Sequence, residues 1–396
     1  MYRNLILVAT AMCAWGFGEG TFLYFNPIYL EQLGADSIAI GAILGGFGLA
    51  MTVSHIPAGL LADRFGRKPL LLAAWVLGLA ATWMMALASS LPVFVAGLMI
   101  YGVTLFVISP LFSYVTAARG KLSTGRAITL ISASYNLGAL FGPFLGGLIG
   151  DRFGLRQTYY LAGWVFAFST AVILFIKPQP VERVEPGETG NGRLFQRGYF
   201  LYLGAVFIAT FATYLPQPLT PNFLQNVQGL SLSQIGTLFS VTSLGIVLLN
   251  LVIGFLPARF GFVLGQAAVG VFAVLLWQRT GMAWYLLAFF LLGGYKTARA
   301  LATAQVRELV HSARMGLGYG LAETLNAASM MLAPLLAGWM YTRSPVSIYP
   351  LSAALILGSL FVSYRLSPRP SGENLNISPS AGTRSKILPA NPGGPE

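Results

Sequence analysis

The chain has 396 residues, 56% of them hydrophobic and only 9% charged, against about 25% charged in an ordinary soluble domain. Too few charges remain to coat a water-facing surface, so lipid is its solvent and soluble-domain length rules do not apply. The formal net charge of +12 suggests polyanion binding, but the cations fall in short loops between apolar runs, as membrane topology requires, and no nucleic-acid partner is implied.

Apolar runs of bilayer-spanning length fall at about 5–30, 37–61, 69–89, 92–117, 126–150, 157–177, 199–224, 232–256, 262–279, 283–305, 315–341 and 346–366. They are continuous rather than alternating, so the expectation is an all-α membrane protein of about twelve transmembrane helices, not a barrel. The first run is too long for a signal-peptide core and continues past Gly20 without a cleavage site, which makes it an uncleaved first span. Cys13, the one cysteine, lies inside that run. An internal disulfide is thereby excluded, as are metal sites built on cysteine pairs.

The loops orient the spans. One set carries Arg64, Arg67 and Lys68, then Arg119, Lys121 and Arg126, then Lys177, Arg183, Arg193 and Arg197, then Arg259, Arg307 and Arg314. The intervening set carries only Arg152, Arg156, Arg279 and Arg343. This asymmetry predicts a multi-pass protein of the cell membrane with both termini in the cytoplasm. Residues 178–198, rich in proline, glycine and mixed charge, read as a flexible cytoplasmic linker between six-helix bundles at 1–177 and 199–366. The Ser-, Pro-, Gly- and Asn-rich stretch 367–396 reads as a disordered cytoplasmic tail.

The halves repeat. Asn26-Pro27-Ile28-Tyr29-Leu30 matches Thr220-Pro221-Asn222-Phe223-Leu224, an offset of 194 (221 − 27). Arg64-Phe65-Gly66 matches Arg259-Phe260-Gly261 at 195 (259 − 64), and Gly142-Pro143 with Gly146-Gly147 matches Ala333-Pro334 with Ala337-Gly338 at 191 (334 − 143). A parallel six-helix duplication is the plan of alternating-access carriers, whose site lies at the midplane between the halves.

Gly59-x-Leu61-Ala62-Asp63-Arg64-x-Gly66-Arg67-Lys68 resembles the signature between helices 2 and 3 of the major facilitator superfamily, with a degenerate copy from Gly254 to Gly261 in which Ala258 takes the place of Asp63. The resemblance covers about residues 1–366. It implies the major facilitator fold of two six-helix repeats. It also implies a switch motif in which Gly59, Asp63, Arg64, Gly66, Arg67 and Lys68 latch helix ends in the outward-facing state; the alternative is a purely topogenic loop. Gly138, Gly142, Pro143, Gly146 and Gly147 resemble the helix 5 motif of the superfamily's exporters, many of them proton-coupled multidrug carriers. Asn26 to Gly34 resembles the end of helix 1 in such carriers. Their helix 4 motif places an arginine three residues before the glycine that is Gly102 here, and this chain has Met99 instead. The helix 5 stripe serves either as a packing hinge for the extracellular gate or as plain close packing.

Several residues stand out on their own chemistry. Glu19 lies roughly 21 Å into the first span, and a carboxylate at that depth must be protonated, paired or wet. It binds a proton or a cationic substrate, or it belongs to a structural ion pair. Trp15, Glu19, Phe22 and Asn26 share a helical stripe that could line a cavity. Lys296 and Arg299 sit at i, i+3 on helix 10, with Glu323 at similar depth on helix 11. They form either a self-neutralising cluster or an anion site, and Gly293-Gly294 just before them could loosen helix 10. Asn136, Tyr135, Tyr214, Gln217, Asn222, Asn250 and Asn326 are substrate ligands or interhelical hydrogen-bonding groups, and His55 is either a proton sensor or a packed histidine.

The sequence thus predicts secondary active transport by alternating access, with proton-coupled export of a small organic molecule. Uptake of an anionic or sugar-like solute, or a non-transporting receptor on the same scaffold, are the alternatives. The expected partners are a small-molecule substrate, protons and the lipid bilayer, and a monomer is expected. No catalytic grouping, metal-ligand spacing or phosphate-cradling loop is present in the sequence, so neither an enzyme nor a cofactor or metal is expected.

Overall fold

The computed structural model describes residues 2–65, 67–178, 197–310 and 315–368. The side chains of 55–65, 109, 124–125, 197, 307–308 and 315–320 lie outside that description, as do Gly66, most of the 178–198 segment and all but the first two residues of the 367–396 tail. The described residues form sixteen α-helices that make twelve spans. α1 (Arg3–Phe22) and α2 (Asn26–Gln32) make the first; α3 (Ser37–Phe65) and α4 (Arg67–Leu87) the second and third; α5 (Leu91–Val103) and α6 (Ile108–Ala118) the fourth. α7 (Thr124–Phe153) and α8 (Arg156–Leu174) follow, then α9 (Arg197–Tyr214) with α10 (Thr220–Asn226), α11 (Leu232–Ile253), α12 (Ala258–Gln278), α13 (Met282–Leu292) with α14 (Gly294–Leu309), α15 (Met315–Arg343) and α16 (Ile348–Leu366). Among the described residues, nine helical stretches are long and apolar enough to cross a membrane. The other three spans are interrupted or carry charge: α9 stops before Pro216, α14 bears Lys296 and Arg299, and α15 bears Glu323.

The breaks have local causes. α2 and α10 each begin with a proline in the first turn. Proline lacks the donor that would continue a helix arriving from before it, and it suits a first helical turn. Because Pro27 and Pro221 are repeat equivalents, both halves end their first span the same way. The tenth span is cut at Gly293, where an added Cβ would collide with the Gly245 backbone of α11.

Successive spans are antiparallel, so residues 2 and 368 lie at one end of the bundle, here termed proximal; the short turns at 33–36, 154–155 and 227–231 mark the distal end. The apolar core is divided along this axis. One cluster joins both halves, with Phe22, Phe25, Leu30 and Tyr159 packed into the same core as Leu215, Phe223, Leu238 and Tyr349. The other two clusters each belong to one half: Leu5, Val8, Trp75 and Tyr114 in the first, Tyr199, Tyr202, Phe262 and Val306 in the second. A shared core at the distal end and separate cores toward the proximal end describe a bundle closed at one end.

Two seams close it. α3 packs along α15, where Gly41, Gly45 and Gly48 face the backbone around Pro334, Met331 and Met330 with no room for a Cβ. α7 packs along α11, where the Pro143 carbonyl fills the Cβ position of Gly236 and Gly147 abuts Leu232. Pro143 has no N–H for the Ala139 carbonyl four residues back. That carbonyl instead accepts the Ser243 hydroxyl of α11 at 3.2 Å, and Phe144 N–H donates to Ser240 Oγ at 3.2 Å. The proline's missing bond is thereby filled from the other half.

The helix 5 stripe is not a single surface. Gly138, Gly142 and Gly146 face the α1 backbone at Cys13, Phe17 and Thr21, inside the first half, and only Gly147 and Pro143 reach across. A single residue step, about 100° around the helix, separates the two directions.

This division predicts different outcomes for two similar substitutions. Gly142→Val overpacks α1 against α7 and should destabilise the fold by about 1–3 kcal/mol, seen as a lower melting temperature in detergent. Gly41→Val wedges the inter-half seam and should raise thiol labelling of a cysteine at Ala337, fully buried here, with the melting temperature close to that of the parent.

Candidate functional site

Glu19 lies three residues before the end of α1 and keeps only 8% of its surface exposed. Placing an ionised carboxylate there is costly unless partners replace its water. Tyr135 of α7 donates to Glu19 Oε2 at 3.0 Å. Tyr101, 1% exposed at the end of α5, lies beside the same carboxylate, and its hydroxyl makes no hydrogen bond of good geometry. Trp15, one turn earlier, stacks on Phe166 with centroids 3.9 Å apart. On the distal side Tyr24 stacks on Phe239 of α11, centroids 4.2 Å apart at 15°, a ring pair contributed by both halves.

The expected cavity stripe is corrected by the packing. Phe22 is fully buried, and Asn26, 2% exposed, accepts the Tyr159 hydroxyl at 2.7 Å within the first half. The stripe packs into the first half's own interior because α5 and α8 supply aromatic partners along its whole length. Of the four, Glu19 is the one ionisable group.

The second half contributes the cations. Lys296 and Arg299 share a face of α14 but have different partners. Arg299 forms an ion pair with Glu323 of α15. Thr303 Oγ1 and Asn326 Nδ2 also approach Glu323 Oε1, at 3.4 and 3.5 Å, and Asn326 in turn accepts from Thr210 at 2.9 Å. The side chains of Arg299 and Glu323 keep 34% and 43% exposure in mid-bundle, so the pair is half-buried. The rings of Tyr214 and Tyr295 lie 5.8 Å apart beside the guanidinium. Lys296 interacts electrostatically with Glu19 of the other half, and it is exposed although flanked by the buried Tyr295 and Thr297. An ammonium on the second half thus lies within electrostatic reach of the acid on the first, with no ion pair between the two.

Gln217 and Asn136 use their amides on their own helices, donating to the Thr213 and Ser132 carbonyls at 2.8 Å each. Of the switch motif, Arg67 and Lys68 open α4 and are half-buried. Gly66 and the side chains of Gly59, Asp63, Arg64 and His55 lie outside the described residues.

Sequence reasoning passed over Tyr101, Tyr24 and Phe239. The repeat holds a signal for the first: Tyr101 and Tyr295 are separated by 194, the offset of Pro27 and Pro221. Both hydroxyls are buried without a hydrogen bond of good geometry, each beside a charged cluster. Tyr135 and Asn326 are likewise equivalent at 191, and each donates to its own half's carboxylate.

With this geometry in place, the comparisons with known proteins are direct. The family model of the Major Facilitator Superfamily matches residues 8–259 and 202–392, and the chain belongs to that family. It is 27% identical over 180 residues to an uncharacterized MFS-type transporter of Methanocaldococcus jannaschii, covering 45% of this chain and 46% of the relative. It is 33% identical over 174 residues to the multi-drug resistance efflux pump PmrA of Streptococcus pneumoniae, covering 40% and 42%. The matched portion thus spans less than half the length of each. The nucleoside transporter NupG, solved as a point mutant, superposes with a TM-score of 0.77 at 15% identity over 92% of this chain and 99% of its own. The chain thus shares the fold of that transporter.

The partners also set what substitutions cost. Asn26→Ala strands the fully buried Tyr159 hydroxyl and should destabilise by about 1–3 kcal/mol. Glu323→Gln, in a pair that keeps 34% and 43% of its side-chain surface exposed, should change stability by less than about 1 kcal/mol. Thermal unfolding in one detergent checks both.

Proposed function

We propose that the protein exports a small organic cation across the cytoplasmic membrane in exchange for protons, by alternating access, with Glu19 carrying the proton. The observation that carries this reading is the position of Glu19. It is a mid-span carboxylate beneath a distal ring gate formed by Tyr24 and Phe239, with a phenol bonded to it and an ammonium of the other half opposite. A carboxylate in such a site binds either a proton or a cation, and one replaces the other without leaving buried net charge. The cationic proximal loops support placing that end in the cytoplasm. In that orientation the core shared by both halves on the distal side supports approach of a cytoplasmic substrate to Glu19 from the proximal end. The relative named a multi-drug resistance efflux pump supports the direction.

A second reading rests on Lys296. An exposed ammonium at mid-depth suits an anionic solute, and uptake of such a solute would make Lys296 rather than Glu19 the binding group.

The test uses proteoliposomes loaded with a pH-sensitive dye, with tetraphenylphosphonium or ethidium added to one side. The parent should move protons against the added cation, and Glu19→Gln should reduce that movement at least tenfold. Equal proton movement in parent and Glu19→Gln contradicts the role of Glu19. Loss of organic-anion flux in Lys296→Ala, with cation flux absent from the parent, establishes the second reading instead.

A further inference from the structure

The switch motif has a second, inverted copy. Leu60-Leu61-Ala62-Asp63-Arg64-Phe65-Gly66 at the proximal end of the second span is matched by Leu148-Ile149-Gly150-Asp151-Arg152-Phe153-Gly154 at the distal end of the fifth. The first copy is among the residues on which the family resemblance stands. The second lies at the opposite end of the same half, and there its acid is fully described.

Asp151 reaches across to the second half. Its Oδ1 accepts the Leu232 N–H at 2.9 Å, and its Oδ2 accepts the Ser233 N–H at 2.8 Å, at the start of α11. The first four N–H groups of a helix have no partner inside it. Here the ends of the set are capped locally: Gln234 N–H donates to Ser231 Oγ at 3.2 Å, and Ser231 N–H donates to Gln234 Oε1 at 2.9 Å. The two donors between them belong to Asp151. A carboxylate on a helix N-terminus is favoured both by charge-assisted hydrogen bonding and by the helix dipole. Gly147, pressed against Leu232, brings α7 close enough for the reach. Glu31 repeats the arrangement on the neighbouring spans: this first-half carboxylate accepts from Asn222, and from Asn226 at 2.9 and 3.0 Å.

We propose that Asp151 is a gating residue of transport. By capping α11 it holds the distal end shut, and it must let go each time the distal end opens. Glu31 is the second clasp. Both clasps place a first-half carboxylate on neutral donors, so on opening water can satisfy every group and no buried charge is stranded. The inference rests on the alternating-access reading but not on the identity of the substrate.

The test measures conformation without substrate. In a Cys13→Ser background, spin labels replace Phe153 and Val227, which are 69% and 46% exposed on the distal turns of the two halves. Pulsed dipolar EPR in nanodiscs should give one dominant short distance for the parent. Asp151→Ala should shift at least half of the population to longer distances with the melting temperature unchanged. Asp151→Asn, which keeps one acceptor, should give an intermediate distribution and also serves if Asp151→Ala does not fold. Arg152→Ala should match the parent. Superposable distributions for Asp151→Ala or Asp151→Asn and the parent overturn the proposal, as does an equal shift in Arg152→Ala. Because no substrate is present, failure here is separate from failure of proton-coupled export.

Discussion

A carboxylate held at mid-span in a chain with 9% charged residues is the group to which the rest of this molecule is fitted. Glu19 cannot keep its water there, so each of its contacts has to replace a part of it: the Tyr135 hydroxyl directly, the Lys296 ammonium through space, and Tyr101 by a hydroxyl that is close but unspent. The repeat sharpens this point. Thr213, the equivalent of Glu19 in the second half, commits its hydroxyl to the Ala209 carbonyl of its own helix at 2.6 Å. The equivalent of Lys296 in the first half is Gly102 (296 − 194). Duplication supplied the scaffold, and the two halves then divided the charges between them.

The seams answer a different constraint. The alternating-access reading requires the halves to pack tightly and still come apart. An interface of interdigitated large side chains would be slow to part. Here the two seams are largely backbone against backbone, with glycines on α3 meeting α15 and Gly236 meeting Pro143, while the distal core between them holds large side chains of both halves. Hydroxyls and carboxylates fill the donors and acceptors left over. The seams themselves separate without stripping side chains out of pockets, and water can take over their polar groups. The inward side of α7, by contrast, is sealed against α1 by Gly138, Gly142 and Gly146, a contact that nothing in the cycle needs to break.

Much of this was legible in the sequence, for physical reasons. Spans are visible because lipid enforces continuous apolar runs. The repeat is visible because Pro27 and Pro221 do the same job at the same depth. Glu19 stood out because an acid in hydrocarbon has few innocent explanations, and Gly293-Gly294 marked the tenth span's break. What stayed hidden depends on direction around a helix. Successive glycines of α7 look like one stripe until α1 and α11 claim different members of it. Asn26 looked like a cavity ligand until Tyr159 took its oxygen. Asp151 was readable in principle, since Asp-Arg-Phe-Gly occurs twice; its partner, a pair of backbone N–H groups, leaves no trace in residue identity.

The central claim is that one carboxyl group exchanges a proton for an organic cation. Infrared difference spectroscopy of the detergent-solubilised protein tests it most directly, recorded as tetraphenylphosphonium is added. Binding should remove the carbonyl stretch of a protonated carboxylic acid in the parent, and that band should be absent from the spectrum of Glu19→Gln. Binding with no loss of the band, or with the same loss in Glu19→Gln, would contradict the account.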